Sequence, residues 1–477
     1  MIIRRFRKFR FLILIFFAML PGCRVGPPYI PPATEVPDAW KTAQNDADNV
    51  DENICYWWEI FHDETLDELE NQALENNHDV FIAFERVVQT RALAGIVESQ
   101  LYPQINLSPN FFDELILYRL YDPDRIQREH RRTQQLPLNL NYEVDLWGKL
   151  EQAYESVVLE AEAEEDAYQT VLLMLTTDLA ESYYYLRTLD AEIDLLASTI
   201  ETYKKGLEIL KSRYQHKIIN YLDVSRGELE YSNAKAEYQR VKTLRRLEEN
   251  KIAVLIGVPP SDVTIEHKPI KGEPPKIPAG VPSDVLLQRP DIAEAERTRA
   301  AEHAKIGVAY ASFFPSFTLT GALGWSSPNL KDFLTWKSRL WVLGANANQV
   351  VFDGGALFAN LAFAISKFRE ADEEYQQVVL VAFQDVEDAL TELEGLSNQY
   401  ADIEESIKAA KNINKIAFDR YNKGVAFYLD VVISERDELT AERTLIKLQG
   451  ERYEATIELI KALGGSWATN CIEVNDN

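Results

Sequence analysis

Few residues of this chain have the types and spacing that catalysis or metal binding requires. The sequence contains no HExxH, no GxSxG and no glycine-rich phosphate loop, which are the usual signatures of metalloproteases, hydrolases and nucleotide-binding enzymes. The six histidines show no ligand spacing and lie at His62, His78, His130, His216, His267 and His303. We therefore predict that the protein is not an enzyme and has no cofactor and no metal site.

Cys23 is the residue whose setting favours a covalent modification. It follows a proline and a glycine at the end of a secretory signal, in which basic residues precede a ten-residue apolar run beginning at Phe11. A small residue before cysteine resembles a bacterial lipobox, so we predict that residues 1–22 are removed and Cys23 is lipidated. An ordinary signal with an incidental cysteine is the alternative. Arg24 in the next position favours sorting to the outer membrane.

The composition reduces the possible classes of protein further. Asp and Glu number 76 against 50 Lys and Arg, giving a formal net charge of -26, and nothing concentrates positive charge for phosphates, which excludes a nucleic-acid protein. At 477 residues and 46% apolar, the chain exceeds one compact core and indicates several domains, an elongated fold or a repeat. After the signal no run of 18 apolar residues occurs, so any membrane crossing would require strands.

The chain contains one unit of roughly two hundred residues twice. At an offset of 207, Arg213-Tyr214 matches Arg420-Tyr421, and Tyr221-Leu222-Asp223-Val224 matches Tyr428-Leu429-Asp430-Val431. Seven prolines between positions 259 and 282 predict an extended connector, because proline neither continues a helix nor donates to a sheet. The predicted segments are a signal peptide (1–22), an N-terminal extended segment (23–62), a first repeat (63–258), the connector (259–282), a second repeat (283–467) and a C-terminal tail (468–477).

Each repeat is predicted to contain a helix, two strands and two long helices. Apolar residues at heptad spacing from Leu150, without a proline, predict one helix from Gly148 to about Ser212. Near the C-terminus two parallel apolar seams lie on one helix, and Arg436 and Arg443 interrupt the first of them. Two seams indicate contact with two neighbours, as in a closed ring of helices rather than a two-stranded coiled coil.

Four segments alternate apolar and polar residues as strands with two different faces do. Each has about nine or ten residues, the length of a tilted strand that crosses the hydrocarbon layer. Their apolar positions include Ile105, Leu107 and Phe111; Leu136, Leu138, Leu140, Tyr142 and Val144; Phe317, Leu319, Leu323 and Trp325; and Trp341 and Leu343. We interpret them as membrane-barrel strands, with a soluble sandwich as the alternative. Four strands cannot close a barrel, so other copies must contribute: two chains would give eight strands and three would give twelve.

Several short motifs resemble a known family in their order and spacing. They are Cys23-Arg24-Val25-Gly26-Pro27-Pro28-Tyr29, Trp57-Trp58 with Phe61, Asp145-Leu146-Trp147-Gly148, Arg289-Pro290-Asp291-Ile292, Ile306-Gly307-Val308-Ala309, Phe313-Phe314-Pro315-Ser316, Phe352-Asp353-Gly354-Gly355 and Leu463-Gly464-Gly465-Ser466-Trp467. Over nearly the whole chain they resemble the TolC-like outer-membrane efflux channels, in particular the lipidated branch that includes OprM. Ser466 stands where the family usually has a third glycine.

The resemblance implies a mixed α and β fold: a homotrimeric, twelve-stranded transmembrane β-barrel with four strands per chain, continued by a long α-helical coiled-coil barrel. It implies a protein of the bacterial outer membrane, lipid-anchored, with a periplasmic extension. Its role would be the exit duct for small molecules or drugs from an inner-membrane pump, of the RND type, joined through a periplasmic adaptor protein.

The resemblance also implies a gate where the long helices reverse. Asp430 matches an aspartate whose three copies ring the narrow periplasmic aperture, and Tyr421 and Asp223 match a pair that ties the inner hairpin to its outer neighbour. Three converging carboxylates attract cations and repel one another, so bonds between hairpins must hold the mouth shut. The family's second acidic ring is Ile433 here. The alternatives are a helix N-cap for Asp430 and core packing for Tyr421.

Adaptor contact is expected at the hairpin tips, at Ile218, Ile219, Gly424 and Val425. Exposed apolar tips on an acidic shaft suit docking into another helical tip, whereas a frayed loop is the alternative.

A disulfide between Cys55 and Cys471 is a further hypothesis. The two cysteines lie near opposite termini, in regions that form the belt around the tunnel's waist in the family, and the periplasm permits disulfides.

Two other functions stay open from the sequence. One is an exit duct for type I protein secretion, since the cargo is selected by the pump and not by the duct. The other is a non-conducting coiled-coil surface lipoprotein, which would have no need of four amphipathic strands.

Overall fold

The computed structural model describes residues 24–41, 56–119, 126–278, 280 and 282–465. The predicted signal peptide, Cys23, Cys55, Cys471 and the C-terminal tail lie outside the described residues. Within the described part, no helix is long and apolar enough to cross a membrane.

Eight α-helices and five β-strands are described. The helices are α1 (Glu64–Asn76), α2 (His78–Glu98), α3 (Lys149–Gln215), α4 (Tyr221–Leu255), α5 (Pro282–Gln288), α6 (Pro290–Ala311), α7 (Ala356–Asn422) and α8 (Tyr428–Ala462). The strands are β1 (Gln104–Leu107), β2 (Asn110–Arg119), β3 (Ile126–Val144), β4 (Ser316–Ser327) and β5 (Arg339–Asn348). Short 3-10 turns lie at Trp57–Phe61, Ser99–Leu101, Leu330–Asp332 and Trp336–Ser338.

The long helices occur as two matched pairs. Helices α3 and α7 have 67 residues each, and α4 and α8 have 35 each. Every bound of the second pair lies 207 positions after the corresponding bound of the first, which is the offset of the sequence repeat. Between the pairs, residues 259–278 and 280 form neither helix nor strand, in keeping with the seven prolines of the predicted connector.

An aspartate starts each of the two longest helices. Asp145 accepts hydrogen bonds from the backbone N–H groups of Lys149 (2.7 Å) and Glu151 (2.8 Å) at the start of α3. Asp353 accepts from Gly355 (2.9 Å) and Leu357 (2.7 Å) at the start of α7. A carboxylate here satisfies N–H groups that have no partner inside the helix and favours the positive end of the helix dipole. The motifs around Asp145 and Asp353 therefore act as strand-to-helix junctions.

All strand pairs in the sheet are antiparallel, in the order β1, β3, β4, β5, and β2 also pairs with β3. Strands β1 and β2 lie one after the other along the same side of β3, and together we call them one column of the sheet. They share a single register, since Leu107 pairs with Leu138 and Asn110 with Gln135. The column is interrupted at Pro109, which has no N–H to donate to the ladder.

The first hairpin is longer than the sequence predicted. Strand β3 has 19 residues and β2 extends to Arg119, whereas we expected segments of about nine or ten residues. The added portion is rich in charged residues, which disfavour strands. Cross-strand ion pairs compensate: Asp113 contacts His130 Nε2 at 2.7 Å and Arg132 Nε at 3.1 Å.

The described residues fall into two compact units. One comprises Glu85–Glu165, Glu294–Gln376 and the described residues before Thr34; it holds the sheet and a core around Ile306, Ala309 and Ala364. The other comprises Thr34–Phe84, Asp166–Ala293 and the described residues from Gln377 onward. Its core clusters lie between helices, around Leu196 and Val241, around Leu210 and Val224, and around Leu448 and Ala455.

Candidate functional site

The register of the sheet collects apolar side chains on one face. Residues opposite each other on antiparallel strands point to the same side, and same-side positions recur at every second residue. Two rows across the four columns are Ile105, Leu140, Gly321 and Leu343, and Leu107, Leu138, Leu323 and Trp341. The same face continues through the pairs of Leu136 with Trp325, Tyr142 with Leu319 and Val144 with Phe317. We call this the apolar face.

The opposite face of the sheet carries mainly polar or small residues. Its rows include Gln104, Asn141, Thr320 and Gly344; Asn106, Asn139, Ala322 and Val342; and Glu143, Thr318 and Asn346. The two faces therefore suit two different solvents.

No described part of the chain covers the apolar face. Leu323 is 63% exposed, Trp341 71% and Leu343 77%. A contiguous apolar surface of this kind marks contact with lipid or with another apolar layer.

Both ends of the sheet are edges. The column of β1 and β2 and the strand β5 are the outermost members, and among the described residues each pairs on one side only. Unpaired N–H and C=O groups at such an edge are available to pair with a further strand.

The long helices reverse at two tips with the same backbone geometry. At the first, Lys217 N donates to Tyr214 O (2.9 Å) and Ile218 N to Arg213 O (2.9 Å). At the second, the bonds 207 residues later run from Gly424 N to Tyr421 O (3.0 Å) and from Val425 N to Arg420 O (3.0 Å). Both are Schellman caps, which need a left-handed residue, and φ is 59° at Lys217 and 74° at Gly424.

Three of the four predicted docking residues are exposed at these tips. Ile218 is 70% exposed, Val425 is 63% exposed, and Gly424 also lies at the surface. Ile219 differs from the expectation: it is half-buried and packs against the cluster of Leu207, Leu210 and Val224, because the chain turns inward to begin α4. Phe427, 81% exposed, is an apolar tip residue that the sequence analysis missed.

Asp430 lies at the start of α8 and is exposed. Its carboxylate accepts a hydrogen bond from Phe427 N at 3.2 Å, which is helix-start capping. Both interpretations of Asp430 therefore concern the same carboxylate. One of its oxygens caps the helix start, and the group as a whole faces solvent.

The expected bond between Tyr421 and Asp223 is not formed. The Tyr421 hydroxyl is buried and has no hydrogen-bond partner within the described chain, and its ring packs in the cluster that includes Leu210 and Val224. The Asp223 carboxylate lies instead 3.7 Å from Arg226, one turn along its own helix.

Arg213 connects the two hairpins instead. Its Nη2 donates to Asn422 Oδ1 at 3.1 Å, and its guanidinium carbon lies 5.2 Å from the centre of the Tyr421 ring. Sequence analysis missed this contact because an arginine at a helix end is usually solvated. The only signal was its place in the repeated Arg-Tyr dipeptide.

The two arginines that interrupt the seam on α8 are paired. Arg436 binds Glu230 of α4, and Arg443 binds both Glu192 of α3 and Glu237 of α4. The sequence carried a signal for this, since Glu230 and Glu237 are seven residues apart, as are the arginines. The residues that interrupt the apolar seam therefore form ion pairs across the helix interface.

Two carboxyls near this interface have shifted pKa values in opposite directions. Hydrogen bonds from Arg240, and then from Arg443, lower the pKa of Glu237 to about 2. Burial, followed by the nearby charges of Glu230 and Glu438, raises the pKa of Glu435 to about 7. Glu435 therefore changes its charge in the neutral range.

Comparison with known proteins agrees with this geometry. The family model described as "Outer membrane efflux protein" matches residues 69–258 and 281–465, which is most of the chain. The chain belongs to the outer membrane efflux protein family.

Relatives of this efflux protein include two whose names state different cargoes and one named as a lipoprotein. It is 30% identical to "Solvent efflux pump outer membrane protein SrpC" of Pseudomonas putida, over 97% of this chain and 99% of that one. It is 27% identical to "Cation efflux system protein CusC" of Escherichia coli O6:H1, over 94% and 96%. It is 28% identical to "Probable outer membrane lipoprotein SilC" of Salmonella typhimurium, over 96% and 99%.

Solved channels share the fold of this efflux protein. The outer-membrane channel OprN superposes with a TM-score of 0.86 at 26% identity, over 94% of this chain and all of that one. The CmeC outer membrane channel of Campylobacter jejuni superposes with a TM-score of 0.84 at 25% identity, over 93% and 95%.

Proposed function

We propose that this outer membrane efflux protein is the exit duct of a tripartite efflux system and is not an enzyme. It passes small molecules or drugs outward from an inner-membrane pump, of the RND type, to which a periplasmic adaptor joins it. The observation that carries the proposal is the two-faced sheet, apolar on one side and mainly polar on the other, whose outermost members pair on one side only among the described residues. That sheet is a sector of a barrel wall, with lipid outside and water inside.

The assembly is a homotrimer. Four strand columns per chain give twelve strands in three copies, enough for an open lumen, whereas eight would be filled by side chains. The paired long helices, α3 with α4 and α7 with α8, continue the barrel as a tunnel. Lipidation at Cys23 anchors each chain, and a bridge between Cys55 and Cys471 belongs to the same proposal.

The gate lies at the hairpin tips. Three copies of Asp430 ring the aperture, and the tie between the hairpins runs through Arg213 to Asn422 and the Tyr421 ring, rather than from Tyr421 to Asp223. The adaptor docks on the exposed apolar tips at Ile218, Val425 and Phe427, beside Gly424.

Small-molecule efflux is favoured over protein secretion by the names of the relatives, which describe solvent and cation efflux. A non-conducting surface lipoprotein is disfavoured, because it gives no reason for an uncovered apolar sheet face.

The test is to reconstitute the purified protein in planar bilayers and to measure its detergent-corrected mass. We expect three chains per particle and an ion-conducting pore. A monomer without conductance would eliminate the duct.

A further inference from the structure

The two repeats form their strand hairpins in the same register. In the first repeat Gln104 pairs with Asn141, and in the second repeat Ser316 pairs with Asn348. Ser316 lies 212 positions after Gln104, and Asn348 lies 207 positions after Asn141. The next three pairs of the first hairpin keep both offsets in the second hairpin. Strand β4 is therefore the equivalent of the column of β1 and β2, and β5 is the equivalent of β3.

One pairing in the sheet joins the two repeats. Strand β3, the last strand of the first repeat, pairs with β4, the first strand of the second repeat. In this pairing Asn139 lies opposite Ala322, and Asn141 lies opposite Thr320. Among the described residues, β5 and the column of β1 and β2 each have one side without a paired strand. The contact between repeats can therefore occur once more, with β5 in the place of β3 and the column in the place of β4.

We propose that β5 of one chain pairs antiparallel with the column of β1 and β2 of a second copy, in the register of the β3 and β4 pair. This inference rests on the proposed function, because it specifies how neighbouring chains of the proposed trimer meet. Adding 207 to each β3 position and subtracting 212 from each β4 position gives the residue pairs. Asn348 comes opposite Ser108 of the second copy, Asn346 opposite Asn110, and Ala345 opposite Phe111.

The two edges present matching faces in this register. Asn346 and Asn110 both lie on the mainly polar face of the sheet, and Ala345 and Phe111 both lie on the apolar face. A slip of one residue would set Asn346 against Phe111 and bring opposite faces together. Because the faces suit different solvents, such a slip is strongly disfavoured.

Exposed apolar side chains at the two edges become neighbours in this register. Trp341 is 71% exposed and comes opposite Leu115 of the second copy, which is 58% exposed. Phe112 is 48% exposed and comes opposite Gly344, which has no side chain to crowd the ring. Aromatic residues paired across strands with aliphatic residues or glycine stabilise a sheet. A second copy therefore covers apolar groups that the described chain leaves exposed.

Disulfide cross-linking tests the register. One double variant is Asn346→Cys with Asn110→Cys on the mainly polar face, and the other is Ala345→Cys with Phe111→Cys on the apolar face. Consecutive pairs in an antiparallel ladder alternate between close and wide spacing, so one of these two pairs is a close pair. Each variant is first checked for trimer mass and conductance. The two pairs lie on opposite faces, so a substitution that prevents assembly in one leaves the other to decide.

The controls test a slip of two residues, which would keep the faces matched. They are Asn346→Cys with Phe112→Cys and Asn346→Cys with Ser108→Cys, and wild type and Asn346→Cys alone give the background from the native cysteines. After mild oxidation the proposed pairs should form covalent trimers, seen on a non-reducing gel. They should form at least about fivefold faster than the slipped pairs, whose Cβ atoms would lie about 7–8 Å apart, beyond the reach of a disulfide.

The outcomes separate this inference from the proposed function. Faster cross-linking of a slipped pair would overturn the register and leave the trimeric duct intact. A conducting trimer in which no pair gives covalent oligomers would overturn the pairing of β5 with the column, and the duct would again remain. A monomer without conductance would overturn the proposed function and this inference together.

Discussion

At the scale of single residues, two side chains determine the contact between the hairpin tips, Tyr421 and Arg213. Tyr421 buries a hydroxyl without a partner in the described chain, and Arg213 contacts both the Tyr421 ring and Asn422. A buried hydroxyl that makes no hydrogen bond costs about 1–3 kcal/mol, whereas a guanidinium that joins two hairpins stabilises their contact.

Substitutions at these two positions should therefore have different effects on conductance and on the stability of the tip. Tyr421→Phe should leave conductance unchanged and stabilise the tip by up to about 1 kcal/mol, while Arg213→Gln should raise conductance by loosening the hairpins. Single-channel recording and hydrogen exchange of tip peptides measure the two effects. A rise in conductance for Tyr421→Phe, with none for Arg213→Gln, would restore the tyrosine as the tie.

The reversal itself makes a second residue-scale prediction. Gly424 has a φ of 74°, which favours glycine, while its counterpart Lys217 adopts 59° with a side chain. Gly424→Ala should destabilise the second tip by about 1 kcal/mol, because a Cβ is strained in the left-handed region. Lys217→Ala is the matched control, since that strain is already present there, and it should change little. Hydrogen exchange at both tips measures the change in stability. Equal destabilisation by Gly424→Ala and Lys217→Ala would contradict the assignment of strain.

At the scale of elements, the interface of α3, α4 and α8 depends on ion pairs within its apolar seams. The Glu192 side chain is only 6% exposed and its partner is Arg443. Removing one member of a buried pair leaves the other charge without compensation, which costs about 3–5 kcal/mol.

Arg443→Met should therefore lower stability by about that amount, as measured by denaturant unfolding of the solubilised protein. Lys447→Met, one turn along the same helix at an exposed position, is the control and should have little effect. Adding Glu192→Gln to Arg443→Met should recover part of the loss. A double variant no more stable than the single one would show that the charge of Glu192 is not the cause.

Glu435 makes this interface pH-dependent. Burial and the charges of Glu230 on α4 and Glu438 on α8 raise its pKa from 4.5 to about 7, so the folded state favours the protonated form. Its contribution is most favourable below about pH 4.5, declines as the pH rises to about 7, and is constant above that value.

Glu435→Gln should remove this dependence. The variant should match the wild type near pH 4.5 and be more stable at pH 8, since an amide in this position never becomes charged. Hydrogen exchange of α8 peptides across this range provides the measurement. A stability difference that grows toward low pH would have the wrong sign for a raised pKa.

At the scale of the whole molecule, the acidic excess bears on conduction. In the proposed trimer each chain without residues 1–22, which hold five Lys and Arg and no acid, has a formal net charge of -31, and the proposed Asp430 ring adds three carboxylates at the narrow end of the tunnel. Because Ile433 stands where the resemblance places a second acidic ring, we expect cation selectivity at the proposed mouth to depend on the Asp430 ring alone.

Asp430→Asn should reduce the preference for cations by about twofold or more, as read from the reversal potential in a KCl gradient. Asp402→Asn, on α7 away from the tip, removes the same charge and is the control. Equal shifts in the two variants would indicate that the overall charge, and not the ring, sets selectivity.

The sequence by itself determined the features that depend on local periodicity. Heptad spacing without proline predicted the helix that begins at Lys149, the repeat predicted its twin 207 residues later, and strict alternation predicted which strand residues share a face. Turn chemistry identified Gly424. The short motifs, taken in their order along the chain, identified the family. The sequence can show them because they are local features that form junctions between neighbouring elements, as the motifs around Asp145 and Asp353 do.

Only the tertiary structure decided contacts between segments far apart in the chain. Arg213 rather than Asp223 meets the second hairpin, Ile219 turns inward, and Arg443 pairs with Glu192. These outcomes depend on the rotation of one helix against another and on the register of one strand against the next. Periodicity fixes which face a residue occupies, but the partner across that face depends on a second segment whose position no local pattern encodes.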